Sequence, residues 1–249
     1  MPASRIVVIT GANSGIGYST TQFIASHPEY HVIMGCRDTQ KGQAALDRIM
    51  KSGAIRGTIS VLQLDVTDDS SITTAVSQIE QEFGHVDAFI SNAGITAHEF
   101  SAREQCNRIF ATNVTGAYLT SEAFVPLLLK AERPYLIQVS SGLGSLGLAT
   151  DPNNPFYSVP YEAYRMSKAA LDMATVQQHK RLQSQNVRVF AYCPGLVRSN
   201  LRGDSEEAIS AGGAAGDPMD SAKGIFRLIE GERDSEAGQF VNESGTWPW

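Results

Sequence analysis

Short runs of apolar, β-branched residues alternate with segments of helical length along nearly the whole chain, and this alternation narrows the choice of fold more than any other feature. Arg5–Thr10, His31–Cys36, Thr58–Leu64, Val86–Ser91, Tyr135–Ser140 and Val187–Tyr192 read as strands, with QFVN near Gln239 as a last edge strand. Between them Gly15–Ser26, Thr39–Ser52, Asp69–Phe83, Ala102–Lys130 and Tyr161–Gln185 read as helices. In the third of these, Ile72, Val76, Ile79 and Phe83 recur at helical spacing. A last helix, Asp217–Glu230, has Asp217 as its N-cap and Pro218 in its first position. Strands apolar on both faces, separated by helices, imply an α/β fold with a parallel sheet covered on both sides. No internal repeat or linker interrupts the 249 residues, so one domain over 1–249 is expected.

Composition removes several function classes. With 26 acidic and 20 basic side chains the net charge is −6, which argues against a surface that holds nucleic acid through its phosphates. A hydrophobic content of 42% is too high for a disordered chain. No apolar run is long enough to span a bilayer, and the run in MPASRIVVIT is too short for a signal-peptide core. Cys36, Cys106 and Cys193 lie far apart, without a disulfide framework or a CxxC. A cytoplasmic protein with reduced thiols is expected. His27, His31, His85, His98 and His179 show no metal-ligand spacing, so no metal is expected. Ser141 lies in SSGLG, not in the GxSxG elbow of a hydrolase, and Cys193, with no evident base, reads as a buried structural thiol.

Thr10-Gly11-Ala12-Asn13-Ser14-Gly15-Ile16-Gly17 follows the first strand directly and opens the first helix. Glycines there let the backbone turn tightly and bring N–H groups to a pyrophosphate, to which the helix N-terminus adds partial positive charge. The same spacing also serves plain strand-to-helix packing. The second strand ends in Cys36-Arg37-Asp38. The planar fork of Arg37 suits the 2′-phosphate of NADP(H), and Cys36 brings no repelling charge. In the alternative, Asp38 holds the ribose hydroxyls of NAD and Arg37 is a solvated charge. Asp65 ends the third strand, where it can reach an adenine or shape a turn while Thr67 or Asp68 caps the next helix. Asn92-Ala93-Gly94 ends the fourth, where small residues leave room for a flat ring or for a tight turn.

Tyr164 and Lys168 stand four residues apart on a predicted helix and so share a face. An ammonium beside a phenol favours the charged phenolate, which makes Tyr164 a candidate general acid for a carbonyl oxygen and a base for an alcohol. Tyr157 and Tyr161 lack a Lys four residues on. Ser140 and Ser141, at the end of the fifth strand, can each hold a substrate oxygen or form a turn. Two stretches break the alternation after strand ends: Gly142–Pro160, rich in Gly, Pro and Asn, and the small, polar Ser199–Gly216. Ligands bind at that edge of an open α/β sheet, so 142–160 reads as an insert and 199–216 as a mobile lid beside a substrate site. Leu143, Leu146, Leu148, Phe156, Tyr157 and Val159, with Leu201 and Ile209, would give that site an apolar character suited to a cyclic or aromatic ketone.

In chain order TGANSGIG, Asp65-Val66, SNAG, Asn113 in NVTG, Ser141 in VSSGLGS, YRMSK and PGLVRS resemble the short-chain dehydrogenase/reductase family, in its compact, carbonyl-reductase-like form. The resemblance runs from Arg5 to the C-terminus. It implies a single-domain, Rossmann-type doubly wound parallel sheet of about seven strands with helices on both faces. It further implies that Tyr164 transfers the proton, that Lys168 holds the nicotinamide ribose and lowers the phenol, and that Ser141 (less so Ser140) holds the substrate oxygen. Asn113 would anchor a water linked to Lys168. Gly11, Gly15 and Gly17 would carry the phosphates, with Ser14 and Ile16 nearby and Asn13 also at the cofactor; Asp65 and Val66 would flank the adenine, and Asn92, Ala93 and Gly94 the middle of the cofactor. Pro194, Gly195, Val197 and Ser199 would lie by the carboxamide, Ser199 keeping a hydroxyl where the family often has Thr. Ser141 and Tyr164 are 23 positions apart, longer than is common in the family.

The implied activity is NADP(H)-dependent hydride transfer between nicotinamide and a small-molecule ketone, aldehyde or secondary alcohol, without nucleic-acid or membrane partners. Two other readings stay open: a nucleotide-sensing protein without turnover on the same fold, and isomerisation or dehydration at the same cofactor site. Pairing into a homodimer or homotetramer through Ala102–Lys130 and Tyr161–Gln185 is implied, with Ala169, Ala170 and Ala174 allowing close packing. An insert that blocked this surface would leave a monomer.

Overall fold

The computed structural model describes residues 4–97 and 99–249; Met1–Ala3 and His98 lie outside them. β1 (Arg5–Thr10) leads through α1 (Gly15–Ile24), β2 (Tyr30–Cys36), α2 (Thr39–Lys51), β3 (Thr58–Gln63) and α3 (Asp69–Phe83) to β4 (Ala88–Ser91). α4 (Ala102–Phe110), α5 (Ala117–Leu128), β5 (Tyr135–Val139), the single turn α6 (Leu146–Ala149), α7 (Glu162–Leu182) and β6 (Arg188–Tyr192) follow. α8 (Glu206–Ser210), α9 (Pro218–Ile229), β7 (Phe240–Asn242) and β8 (Gly245–Trp247) close the chain. The strands form one sheet in the order β3-β2-β1-β4-β5-β6-β7-β8. Every neighbouring pair is parallel except β7 and β8. The expected seven-strand parallel sheet therefore carries an eighth, antiparallel strand, and β7 is an inner strand and not the edge.

Alternation along the strands builds two cores. On β1, Val7 and Ile9 pack into one layer with Val32, Met34 and Ile225, while Ile6 and Val8 pack into the other with Phe89, Phe124 and Leu136. Such two-sided burial explains why these strands read as continuous apolar runs. Asp38, Asp68 and Asp217 cap α2, α3 and α9 by accepting first-turn N–H groups. The chain winds outward from β1 to β3, then crosses back so that β4 lies on the other side of β1. That reversal opens a crevice at the C-terminal ends of β1 and β4.

Three local features differ from the sequence expectation. The long helix over 102–130 is divided: α4 and α5 are joined by a π-helical stretch, Ala111–Gly116. The insert is folded, and the C-terminal tail clamps it. Gly147 N–H donates to the Trp249 carbonyl at 2.9 Å, Ser145 Oγ donates to the Pro248 carbonyl at 2.6 Å, and Phe156 meets Trp247 edge-on at 5.8 Å. The segment 199–216 holds a 3₁₀ turn, Asn200–Arg202, and α8. The Arg202 guanidinium ties it down by donating to the carbonyls of Val197, Ala208 and Ile209 at 2.8–2.9 Å.

Candidate active site

A cleft of about 660 Å³ runs along the C-terminal ends of the strands. One end is built from the β1–α1 turn. Gly11, Asn13, Ser14, Gly15 and Ile16 line it. Gly11 and Gly15 hold φ of 64° and 53°, the left-handed region that a side chain resists. Gly17 stands behind the wall, where a Cβ would lie 2.6 Å from Asn92 Nδ2. Asn92 in turn braces the turn, donating from Nδ2 to the Thr10 carbonyl at 2.9 Å. The Ser14 side chain makes no capping bond and α1 has no acidic residue in its first turn. The helix thus opens towards the cleft with the backbone N–H groups and partial charge that suit an anion.

Arg37 is exposed at the far wall of this end, and Lys41, which the sequence reading passed over, lines it too. Lys41 lies on the first turn of α2, four residues after Arg37, a spacing visible in the sequence. Asp38 lines this wall as well, while its Oδ1 accepts from the N–H groups of Gln40 and Lys41 at 2.9 and 3.1 Å and so caps α2. Asp65 and Val66 also line the cleft. The Asp65 carboxylate accepts from Thr67 N and Oγ1 at 2.9 and 2.7 Å, and so shapes a turn while it faces the cleft. Ala93 and Gly94 form the middle of the floor.

At the other end Ser141, Tyr164 and Lys168 converge with Pro194, Gly195, Val197 and Ser199. The strand end separates the two candidate serines. Both line the cleft, but Ser140 is buried at 2% and its hydroxyl turns towards the carboxyl of Asp172. Ser141 opens into the cleft, where its hydroxyl faces the Tyr164 phenol. Tyr164 is 8% exposed, and burial pushes its phenol above the ordinary range, against the pull of Ser141 and of the Arg202 charge. Burial outweighs the neighbouring charges at the phenol, and Lys168, expected to lower it, is not among the charges that set this balance. The Lys168 ammonium is 5.7 Å from the Tyr164 ring centre and donates to the Val139 carbonyl at 2.8 Å.

Asn113 does not line the cleft. It sits in the π-helical stretch, fully buried; its Oδ1 accepts from Ile95 N at 2.8 Å, and its Nδ2 donates to the Ile95 carbonyl and to Ser167 Oγ at 3.0 and 3.1 Å. Widened helical turns of this kind gather at functional sites. Cys193 is buried at 4% and its Sγ accepts from Gly142 N–H at 3.1 Å, the environment of a structural thiol.

Leu143, Phe156, Val159 and Leu201 form the apolar wall, whereas Leu146, Leu148, Tyr157 and Ile209 do not reach the cleft. Leu146 and Tyr157 are 69% and 53% exposed. Thr96, Leu196 and Arg202 line the cleft without any signal in the sequence that marked them. Tyr161 also lines it, in a left-handed conformation (φ 86°) at the start of α7. Among the described residues no group of three His, Cys, Asp or Glu is placed to hold a metal, and no helix is long and apolar enough to cross a membrane.

A sequence model of the short chain dehydrogenase family matches residues 5–210. The chain is 33% identical to the short-chain dehydrogenase/reductase tropE of Talaromyces stipitatus, over 97% of this chain and 96% of that one. It is 29% identical to the 3-oxoacyl-[acyl-carrier-protein] reductase FabG of Thermotoga maritima, over 97% and 96%. Among solved structures, the NADPH-bound carbonyl reductase from chicken fatty liver superposes with a TM-score of 0.82 at 25% identity, covering 99% of this chain and all of that one. A parallel sheet with its crevice beside β1, a glycine turn opening α1, and a Ser, a Tyr and a Lys gathered at the far end of one cleft agree with that family throughout, and the chain belongs to the short-chain dehydrogenases/reductases, a family of oxidoreductases.

Proposed function

We propose that the protein is an NADP(H)-dependent carbonyl reductase, or an alcohol dehydrogenase in the reverse direction, acting on an apolar or cyclic substrate. The observation that carries this reading is the joining of the glycine turn and the Ser141, Tyr164 and Lys168 cluster in one cleft. The anion-ready N-terminus of α1, the positive charge of Arg37 and Lys41 at one end and the small residues along the floor fit a phosphorylated dinucleotide. Asp38 lines the same end, but its Oδ1 serves as the cap of α2. When bound, the cofactor supplies or accepts the hydride at the substrate carbon.

The chain's own residues do the rest. Ser141 holds the carbonyl oxygen beside the phenol, and Tyr164, kept protonated by burial, gives that oxygen its proton as negative charge grows. Lys168 holds a ribose hydroxyl at the cleft floor, and Asn113 fixes the backbone of Ile95 behind it. Leu143, Phe156, Val159 and Leu201 exclude water and select an apolar substrate. Two copies pair through the outer faces of α5 and α7, where Tyr118, Leu119, Met166 and Met173 are 37–60% exposed and the insert does not cover them.

The test is a panel of cyclic and aromatic ketones with NADPH, followed by absorbance, on the parent and on Tyr164→Phe. Positioned proton transfer contributes about 10²–10⁴-fold in rate, so the variant should bind NADPH and lose turnover in that range, while Tyr161→Phe stays near the parent. Substrate conversion without any net change in NADPH would favour isomerisation or dehydration. NADPH binding with no conversion across the panel would favour a sensor.

A further inference from the structure

Tyr164, Lys168 and Asp172 follow one another at four-residue steps along α7, so they lie along one face of the helix. All three are buried. Tyr164 and Lys168 border the cleft, and Asp172 continues the row below its floor, 4% exposed. The Ser140 hydroxyl is turned towards the carboxyl, but among the described residues neither oxygen of Asp172 has a hydrogen bond of good geometry. A buried carboxyl so poorly supplied with donors is costly, and an apolar side chain would fill the space without that cost. Packing gives no reason for an acid here, and the buried Lys168 one turn away supplies an electrostatic one.

Few groups face it. Lys168 lies one turn earlier on α7, and the Ser140 hydroxyl comes from the end of β5. The field of Asp172 also reaches the Cys193 thiol at the end of β6 and the Tyr164 phenol. The Lys168 ammonium donates to Val139 O, so it and the carboxyl act on each other across the floor and not through a hydrogen bond. Burial pushes Lys168 down and Asp172 up; each charge opposes the effect of burial on the other.

We propose that Asp172 is a positioning residue for the reaction: a buried countercharge, one helical turn from Lys168, that keeps Lys168 an ammonium while it holds the cofactor. The inference rests on the reading under Proposed function for the role of Lys168. It does not place Asp172 in contact with substrate or cofactor. Its sign is definite. Removing the carboxylate removes the attraction that holds the proton, so Lys168 gives it up at a lower pH.

The experiment measures NADPH affinity by fluorescence from near-neutral to alkaline pH, in the parent and in Asp172→Asn, Asp172→Ala and Asp172→Glu; two neutral variants are used in case one does not fold. The neutral variants should match the parent near neutrality and lose affinity at a pH lower by about one unit, the usual size of a near charge effect. On the alkaline limb that is a gap of about tenfold. Asp172→Glu, which keeps the charge, should restore the parent profile. Neutral variants that track the parent at every pH, or that weaken binding equally at every pH, would overturn the proposal. A second arm uses the protein alone: the infrared band of a buried carboxylic acid should persist to higher pH in Lys168→Met than in the parent. A band that titrates at the same pH in both would also overturn it. A parent that binds no NADPH would sink the proposed function, and the infrared arm would still decide whether the two charges are coupled.

Discussion

Tyr164 meets the cleft as a phenol and not as a phenolate, because burial outweighs the neighbouring charges. The two directions of the proposed reaction therefore respond to pH with opposite signs. Reduction needs the protonated phenol and, with cofactor saturating, should hold steady from neutral into mildly alkaline pH. Alcohol oxidation needs the phenolate and should rise with pH over the same range, as initial rates in each direction would reveal; an oxidation rate that fell with rising pH would contradict the assignment. Arg37 carries a second prediction. Arg37→Ala should weaken NADPH by roughly 10–100-fold, the equivalent of about 1.5–3 kcal/mol for a charge-assisted hydrogen bond, and leave NADH nearly unchanged in a fluorescence titration. Equal loss for both would remove the phosphate role. The sequence made Tyr164 and Lys168 legible because a four-residue step on a helix fixes a shared face. It left Ser140 and Ser141 open, since only the direction of the last strand residue separates them. Asp172 was illegible, because a lone Asp on a polar helix reads as solvated until the packing of α7 against β5 and β6 buries it.

Elements buried on both faces were read well, and elements made by distant contacts were not. β1, β2, β5 and β6 appear as apolar runs because two cores demand it. β8 is three residues, GTW, with a weak pattern of its own; it exists because β7 offers a ladder and Trp247 packs on Phe240 and Phe156. The π-helical stretch was hidden for a similar reason. Gly116 presses against the Val66 carbonyl, which a Cβ would meet at 2.6 Å, and nothing local announces that approach. The segment 199–216 was read as a loop poor in groups to bury, and the structure adds α8 and the Arg202 ties. Gly203, Gly212 and Gly213 flank α8 at positive φ, the kind of position that can serve as a hinge. Amide exchange over 203–216 should be fast in the cofactor complex, faster still in Arg202→Ala, and slowed once a reducible ketone binds. Full protection without substrate would show a fixed wall in place of a lid.

At the scale of the molecule, one sheet places both halves of the cleft on the same edge, so a single rigid frame sets the distance between the anion end and the phenol. The outer faces of α5 and α7 leave large apolar side chains in contact with solvent. Small-angle scattering should therefore return a dimer or a larger even assembly, and Met173→Asp should shift it towards the monomer; a monomer mass at every concentration of the parent would reject pairing through these helices. The way the sheet ends bears on the same question from the other side. A parallel sheet that stopped at β7 would show an open row of backbone donors and acceptors, a template for strand addition and fibrous aggregation. Here the last strand turns back, lasts three residues and is followed at once by Pro248, which has no N–H to give. That end of the sheet offers an added strand only a short ladder, so edge-to-edge growth is left to the opposite edge at β3.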